Sequence, residues 1–463
     1  MDLQKIIIEV NKFLNNNRGK IIDFTDKSII IDKIDMDLDK KFTDDKEFIS
    51  NCDNIIKYSV HTHKLYFFNQ LYTGVDIYNV ISDLLISILN TSMYTYEVAP
   101  VFNCMEHIIF DRIKILFGQS DIILVPGASM ANMYALHLAR FNYNNTINTN
   151  GMYNIANPFK IFISEQAHYS FEKGAMFMGF GLNSIIKIKS IDTGEMNTMD
   201  LDDKIKNCDG IPLMIVGTSG TTVLGAFDDI TKINIIAKKY NIWLHIDAAY
   251  GGSVIYSKVN KHLLNNINCA NSITWNPHKT LQVSLQCSLF MTKDPHILKS
   301  ALGTNAEYLF SEKPYDSSLD TGDKYLQCGR KVDILKLWSA YKTHGEEEFG
   351  QNIDECFELS KLFAKKIDCH KNFKLVMKPT STNVCFWWKK KDVVYKQNEL
   401  GNLTFEIKKK MLSEGNMMIS FQPLSCWKLE NFFRIVFIRS ELQTTDLDII
   451  IQNIDSIGMK LSN

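Results

Sequence analysis

The hexapeptide Thr274-Trp275-Asn276-Pro277-His278-Lys279 sets a lysine beside a histidine, behind a proline-stiffened turn and just after a short apolar run. An amine becomes a useful nucleophile when burial or a neighbouring positive charge lowers its pKa, and it then condenses with an aldehyde. Taken alone, such a lysine is more often a solvated surface residue. A second segment, His245-Ile246-Asp247-Ala248-Ala249-Tyr250-Gly251-Gly252, puts a carboxylate at the end of another apolar run, among small residues that leave room for a flat ligand. An Asp there is often only a helix cap. Followed by Ala-Ala-Tyr-Gly-Gly, it is suited to pair with a pyridine nitrogen and keep it protonated, so that the ring accepts electrons from a broken bond.

Two further segments extend the set. Pro126-Gly127-Ala128-Ser129 lies between an apolar run and a helical stretch, Asn132 to Arg140, where backbone amides point outward together and can cradle a phosphate. In isolation such a turn is more often plain punctuation. His168, in Ser164-Glu165-Gln166-Ala167-His168-Tyr169-Ser170, offers a flat partner for a ring face, and Gly217-Thr218-Ser219-Gly220-Thr221-Thr222 offers hydroxyls for a ring substituent. Lysine for an aldehyde, carboxylate for a pyridine nitrogen and amides for a phosphate together describe a site for pyridoxal phosphate (PLP).

These residues need a scaffold that brings them to one place. Between about residues 120 and 295, runs rich in β-branched residues alternate with helical stretches, the pattern of a largely parallel sheet covered by helices. Seven strands are expected: Asp121 to Val125, Lys160 to Ile163, Ile185 to Ile188, Leu213 to Val216, Ile242 to Ile246, Ser272 to Trp275 and Ser288 to Met291. Ligands of open α/β sheets bind beyond the carboxyl ends of strands, where these polar residues fall. After residue 345 a helix (Gly345 to Ile367), a strand (Asn383 to Trp388), a helix (Leu403 to Glu414) and a strand (Phe432 to Phe437) predict a small α+β domain. Residues 1–70 carry two weak helical patterns around the apolar run Lys27 to Ile34 and read as an appendage. The expected division is 1–70, 71–344 and 345–463.

Composition narrows the function classes. With 51 basic and 52 acidic residues and a net charge of -1, the chain lacks the basic surplus that a nucleic-acid partner requires. The first residues, MDLQKIIIEVNKF, mix charges through their apolar positions and do not read as a secretory signal, and no apolar stretch of spanning length occurs. The ten cysteines are scattered singly, without zinc-type spacing, as expected of reduced thiols in a cytoplasmic protein.

The segments quoted above, with Phe67-Phe68-Asn69-Gln70, Asn90 to Pro100, Gly220 to Asp228, Gln327-Cys328-Gly329-Arg330 with Val332-Asp333, and Asn431-Phe432-Phe433-Arg434, occur in an order and spacing that closely resemble the group II PLP-dependent amino-acid decarboxylases. Within that family the resemblance is to the glutamate and cysteine-sulfinate branch, and it covers essentially the whole chain. It implies an aspartate-aminotransferase-like, fold-type-I homodimer with active sites shared between subunits and residues 1–70 clasping the partner. It implies that Lys279 holds PLP as a Schiff base, Asp247 pairs with the ring nitrogen, His168 stacks on the ring and Gly127 to Ser129 hold the phosphate. Thr218, Thr221, Ala249 and His278 complete the cofactor-facing set. Tyr315, in the stretch from Asn305 to Asp323, is implied as the proton donor on a mobile loop. Gln70 and Arg434 match positions that bind a substrate carboxylate, and Ser92 with Tyr94 resembles the cysteine-sulfinate enzymes more than the glutamate ones.

A Tyr at 94 shortens the pocket and favours a small acid such as cysteine sulfinate or aspartate. One methylene is worth only ~1–3 kcal/mol, so glutamate is expected to leak through. Two departures from the family pattern stand out: Ala128, where Gly is common, adds a methyl beside the phosphate, and His61-Thr62-His63-Lys64 is unlike the usual segment. The competing readings are decarboxylation of an aromatic amino acid, if Arg434 does not face the side-chain pocket, and a non-catalytic regulatory paralogue.

Overall fold

The computed structural model describes residues 3–153, 155–304, 306, 315 and 317–462. The chain divides into two compact units, residues 75–357, and residues 1–74 together with 358–463. The division falls inside the helix Gly345–Cys369. The first strand, β1 (Phe67–Phe68), belongs to the unit made from both chain ends.

The larger unit is built on β2 (Asp121–Val125), β3 (Phe159–Ser164), β4 (Ile185–Ile188), β5 (Ile211–Thr218), β6 (Trp243–Ala248), β7 (Ser272–Trp275) and β8 (Ser288–Thr292). Their spatial order is β2-β8-β7-β6-β5-β3-β4. Neighbours are parallel from β7 to β4, and β8 alone runs antiparallel to both of its partners. All seven apolar runs expected to be strands are strands of this one sheet.

Side chains alternate across a strand, so each strand feeds two cores. Ile122 and Leu124 of β2, Phe162 of β3, Ile215 of β5, Leu244 and Ile246 of β6 and Ile273 of β7 enter one core, packed by Ile230, Ile233 and Ile236 of the helix Ile230–Tyr240. Ile123, Ile161, Ile163, Met214, Val216 and Trp243 enter the other, packed by Ala131, Ala135 and Leu138 of the helix Ala128–Tyr143. His245 and Asp247 share the parity of Trp243 on β6, and therefore face the helix that starts at Ala128. That polar pair inside an apolar face is where the site forms.

In the smaller unit, β9 (Phe373–Leu375), β10 (Asn383–Trp388), β11 (Met418–Leu424) and β12 (Leu429–Val436) join β1 in the order β1-β11-β12-β10-β9. This is the expected small α+β arrangement, with β1 adding a parallel edge through Phe67↔Met418. The run Lys27 to Ile34 forms a helix, Lys27–Lys33, whose cap Asp26 accepts the Ser28 amide at 2.9 Å. Among the described residues no helix is long and apolar enough to cross a membrane.

Candidate active site

Asp247 ends β6 with its side chain buried. Its Oδ1 accepts the Ala249 amide at 3.1 Å and its Oδ2 accepts Nδ2 of Asn132 at 2.9 Å. Two neutral donors hold the carboxylate in one orientation while leaving its charge for a ligand. The glycines that follow are needed for space. A Cβ on Gly251 would stand 2.5 Å from the Ser219 carbonyl oxygen and from the Phe227 ring, and one on Gly252 would stand 2.5 Å from Trp275.

Lys279 follows β7 in a turn where its amide donates to the Asn276 carbonyl at 3.1 Å. The adjoining His278 is buried, with Nδ1 2.6 Å from the Cys287 carbonyl. Burial holds its pKa down at about 4, so it is neutral and ties the lysine turn to the start of β8. His168 lies just past β3, and its Nδ1 accepts the Ser170 amide at 3.2 Å. Burial lowers its pKa; the Asp247 carboxylate acts on it to raise that value and the Lys279 ammonium to lower it. Asp247 and Lys279, from two other strand ends, thus both act on the His168 imidazole.

The phosphate turn is shaped by its glycine. Gly127 has φ +95° and caps the helix Ala128–Tyr143, a left-handed conformation that a side chain would resist. Ala128 already lies in the helix, so its methyl costs the backbone nothing, and the first amides of the helix have no acceptor within it. Ser129 in this turn is exposed. A cavity of about 430 Å³ opens beside it, lined by Val125, Pro126, Gln286, Gln327 and Arg330 among others; Asp247 and Lys279 are not in its lining.

Whether the strand ends around Asp247, which lie outside that cavity's lining, suit PLP is tested by their unsatisfied atoms. Thr218 Oγ1, Ser219 Oγ and Asn276 Oδ1 are buried with no hydrogen-bond partner among the described residues. Buried polar groups are normally paired. Here they sit at the ends of β5 and β7, with Thr218 directly beside Asp247 in the sheet register. A polar, flat ligand at Asp247 gives them partners, and the donor set fits PLP. Thr221, by contrast, spends its hydroxyl oxygen inside its own loop, on the Ala226 amide at 3.0 Å.

Ser92 and Tyr94 lie on a loop pinned from below. Ser92 Oγ accepts the Arg330 amide at 3.0 Å, and the Tyr94 ring packs on Gly322, where a Cβ would come within 2.8 Å of it. The Tyr315 ring lies tilted at 35° with its centroid 6.1 Å from that of Tyr96, and its hydroxyl pKa is raised by burial and by the carboxylates of Asp320 and Glu97. Of the stretch from 305 to 323 in which it was expected to act, residues 305, 307–314 and 316 lie outside the described residues. In the smaller unit, Arg434 is buried on β12 and its Nη2 donates to the Asn69 carbonyl at 3.3 Å, next to the exposed Gln70.

Sequence reasoning missed Asn132, Arg330 and Glu106 as working residues. For Asn132 a signal existed: a polar residue in an otherwise small and apolar helix face. For the buried Arg330–Glu106 pair there was none, since the two are far apart in sequence.

Known proteins were then compared with this chain. Residues 30–389 match the pyridoxal-dependent decarboxylase conserved domain. Human cysteine sulfinic acid decarboxylase is 38% identical over 455 residues, covering 96% of this chain and 92% of that protein, and the mouse protein is 38% identical over 456 residues with the same coverage. The crystal structure of mouse CSAD in apo form superposes with a TM-score of 0.91 at 36% identity, covering 95% of this chain and 94% of the other. Oryza sativa TDC with PLP and tryptamine shares the fold alone, at a TM-score of 0.88 and 19% identity, covering 100% of this chain and 97% of the other. A sheet with these strand ends, buried unpartnered polar groups suited to PLP beside Asp247 and a domain match over most of the sequence lead to one conclusion: the chain belongs to the pyridoxal-dependent decarboxylases, enzymes that take pyridoxal phosphate as cofactor.

Proposed function

We propose that this enzyme decarboxylates a small acidic L-amino acid, cysteine sulfinate first, with aspartate and glutamate as poorer substrates. The observation that carries the chemistry is the buried Asp247 carboxylate, held by the Asn132 and Ala249 donors and flanked in the sheet by the unpartnered Thr218 hydroxyl. The substrate preference is supported by 38% identity to the human and mouse cysteine sulfinic acid decarboxylases. A guanidinium at Arg434 binds a carboxylate or sulfinate with two donors in a fixed fork.

When bound, PLP supplies a sink for the electron pair left by the Cα–carboxylate bond. Lys279 would hold the cofactor aldehyde through its amine, and Asp247 would keep a proton on the ring nitrogen. His168 would face the ring, Ala249 and His278 would border it, and the amides of Gly127, Ala128 and Ser129 would hold the phosphate. Thr218 would serve a ring substituent, while the Thr221 hydroxyl oxygen stays with the Ala226 amide. Arg434 and Gln70 bind the side-chain acid, Ser92 and Tyr94 limit its length, and Tyr315 delivers the proton to Cα.

The working form is a homodimer with shared active sites, clasped by residues 1–70. The helices Lys27–Lys33 and Asp45–Tyr58 bury none of their residues yet present Ile29, Ile31, Phe48, Ile49 and Ile55, an apolar surface suited to a partner subunit. Its place is the cytoplasm, where ten scattered cysteines stay reduced.

The deciding experiment offers purified holoenzyme cysteine sulfinate, aspartate, glutamate, tyrosine and tryptophan, and measures released CO₂ and amine. Turnover of cysteine sulfinate above the others is expected. An aromatic amine as main product overturns the proposal.

A further inference from the structure

We propose that Asn132 and His245 are positioning residues that hold the Asp247 carboxylate toward the cofactor nitrogen, through a one-way chain of hydrogen bonds running back to Trp243. The proposal rests on Asp247 pairing with that nitrogen, as in the preceding section.

The chain is buried throughout: Asn132, His245, Ser272 and Thr274 have no exposed surface. The sheet brings it together, since β6 and β7 pair in the register His245↔Ser272 and Asp247↔Thr274. Asn132 reaches Asp247, His245 and Thr274 from the facing helix, one turn after the phosphate turn.

Its direction follows from counting donors and acceptors. A carboxylate only accepts, so the Asn132 group 2.9 Å from Asp247 Oδ2 is the Nδ2 amine. That amine also donates to Ser170 Oγ at 2.9 Å. The amide oxygen therefore faces the other way, where it accepts the Thr274 hydroxyl at 2.9 Å and meets His245 Nε2 at 3.2 Å. An amide oxygen cannot donate, so His245 carries its proton on Nε2. Burial keeps that imidazole neutral, with its pKa lowered to about 4. Nδ1 is then the acceptor, and the Ser272 hydroxyl 2.8 Å away donates to it. Ser272 Oγ in turn accepts the Trp243 indole N–H, a group that can only donate, at 2.9 Å. Each bond polarises the next, and every dipole points its positive end toward Asp247.

The chemical consequence lies in the groups that hold the carboxylate, which among the described residues are two amides, Asn132 Nδ2 and the Ala249 N–H. A cation placed there would neutralise it, whereas an amide donor fixes its orientation and leaves its charge intact. The histidine is set one residue back and kept neutral, so the charge of Asp247 remains for a protonated ring nitrogen.

The test compares binding of two probes to apoenzyme: PLP, and 1-deaza-PLP, in which carbon replaces the ring nitrogen. The variants are Asn132→Leu, His245→Leu and His245→Gln, the last retaining a donor near the Nε2 position. Dissociation constants are read by fluorescence, with thermal melting of each apo form alongside. Wild type is expected to prefer PLP by about tenfold or more. The preference is expected to shrink toward unity in both Leu variants and to be largely restored in His245→Gln. Should one Leu variant fail to fold, the other with the Gln variant still decides. Parallel weakening of both probes with the preference unchanged, or no recovery with Gln, overturns the proposal. A wild type with no preference instead overturns the underlying pairing of Asp247 with the ring nitrogen.

Discussion

Arg330 Nη1 lies 2.9 Å from Glu106 Oε2, and both side chains are almost wholly enclosed. The same guanidinium donates through Nη2 at 2.6 Å and Nε at 3.1 Å to the Met93 carbonyl, and stands 3.8 Å over the Tyr325 ring. One arginine thus fixes the loop that carries Ser92 and Tyr94. Breaking a buried pair leaves an uncompensated charge, so Glu106→Ala is expected to lower stability by about 3–5 kcal/mol. Urea denaturation checks this, and a loss below about 1 kcal/mol would mean that the pair is solvated.

Another ion cluster makes stability depend on pH. His344 Nε2 is 2.5 Å from Asp76 Oδ2 and its Nδ1 is 2.7 Å from Glu348 Oε1. The hydrogen bond to Asp76, more than any other influence, raises the imidazole pKa from 6.5 to about 9. The folded chain therefore keeps a proton that the unfolded chain releases above pH 6.5. The stabilisation is complete below 6.5 and disappears as pH rises through 9. Thermal melting from pH 6 to 9.5 is expected to fall more steeply in wild type than in His344→Gln; equal slopes would refute the assignment.

Lys279→Ala removes the amine proposed to hold the cofactor aldehyde. Purified variant is expected to lose the yellow colour of lysine-bound PLP, and turnover should drop by more than about a thousandfold. Visible absorbance and CO₂ release read the two effects. A variant that stays yellow and active would require another lysine.

Tyr315→Phe addresses the proton donor. Because burial and two nearby carboxylates raise the hydroxyl pKa, the tyrosine stays protonated at neutral pH and is able to donate. Its loss is expected to lower kcat by about 10²–10⁴-fold, the usual contribution of a general acid, with PLP affinity unchanged. Steady-state kinetics and cofactor titration separate these quantities, and an unchanged kcat would assign the proton to another group.

Much of this protein was legible before any coordinates. The seven strands of the large sheet announced themselves as β-branched runs, because a strand buried on both faces must be apolar along its whole length. The strands not expected from the sequence, Phe67–Phe68, Phe373–Leu375 and Met418–Leu424, lack that signature: the first two are two and three residues long, and the third carries Gln422 and Pro423. The reactive set was also visible locally, since Asp247, Lys279 and the Gly127 turn each sit where a strand gives way to a loop.

The sequence by itself determined which elements form and which residue types stand at their ends, because periodicity and turn chemistry act over a few residues. Only the tertiary structure decided which side chains meet. Asn132 reaches Asp247 across 115 positions, and Arg330 reaches Glu106 across 224. Such partners are chosen by sheet register and by the cost of burying an unpaired polar group, and neither quantity is written in any local stretch of sequence.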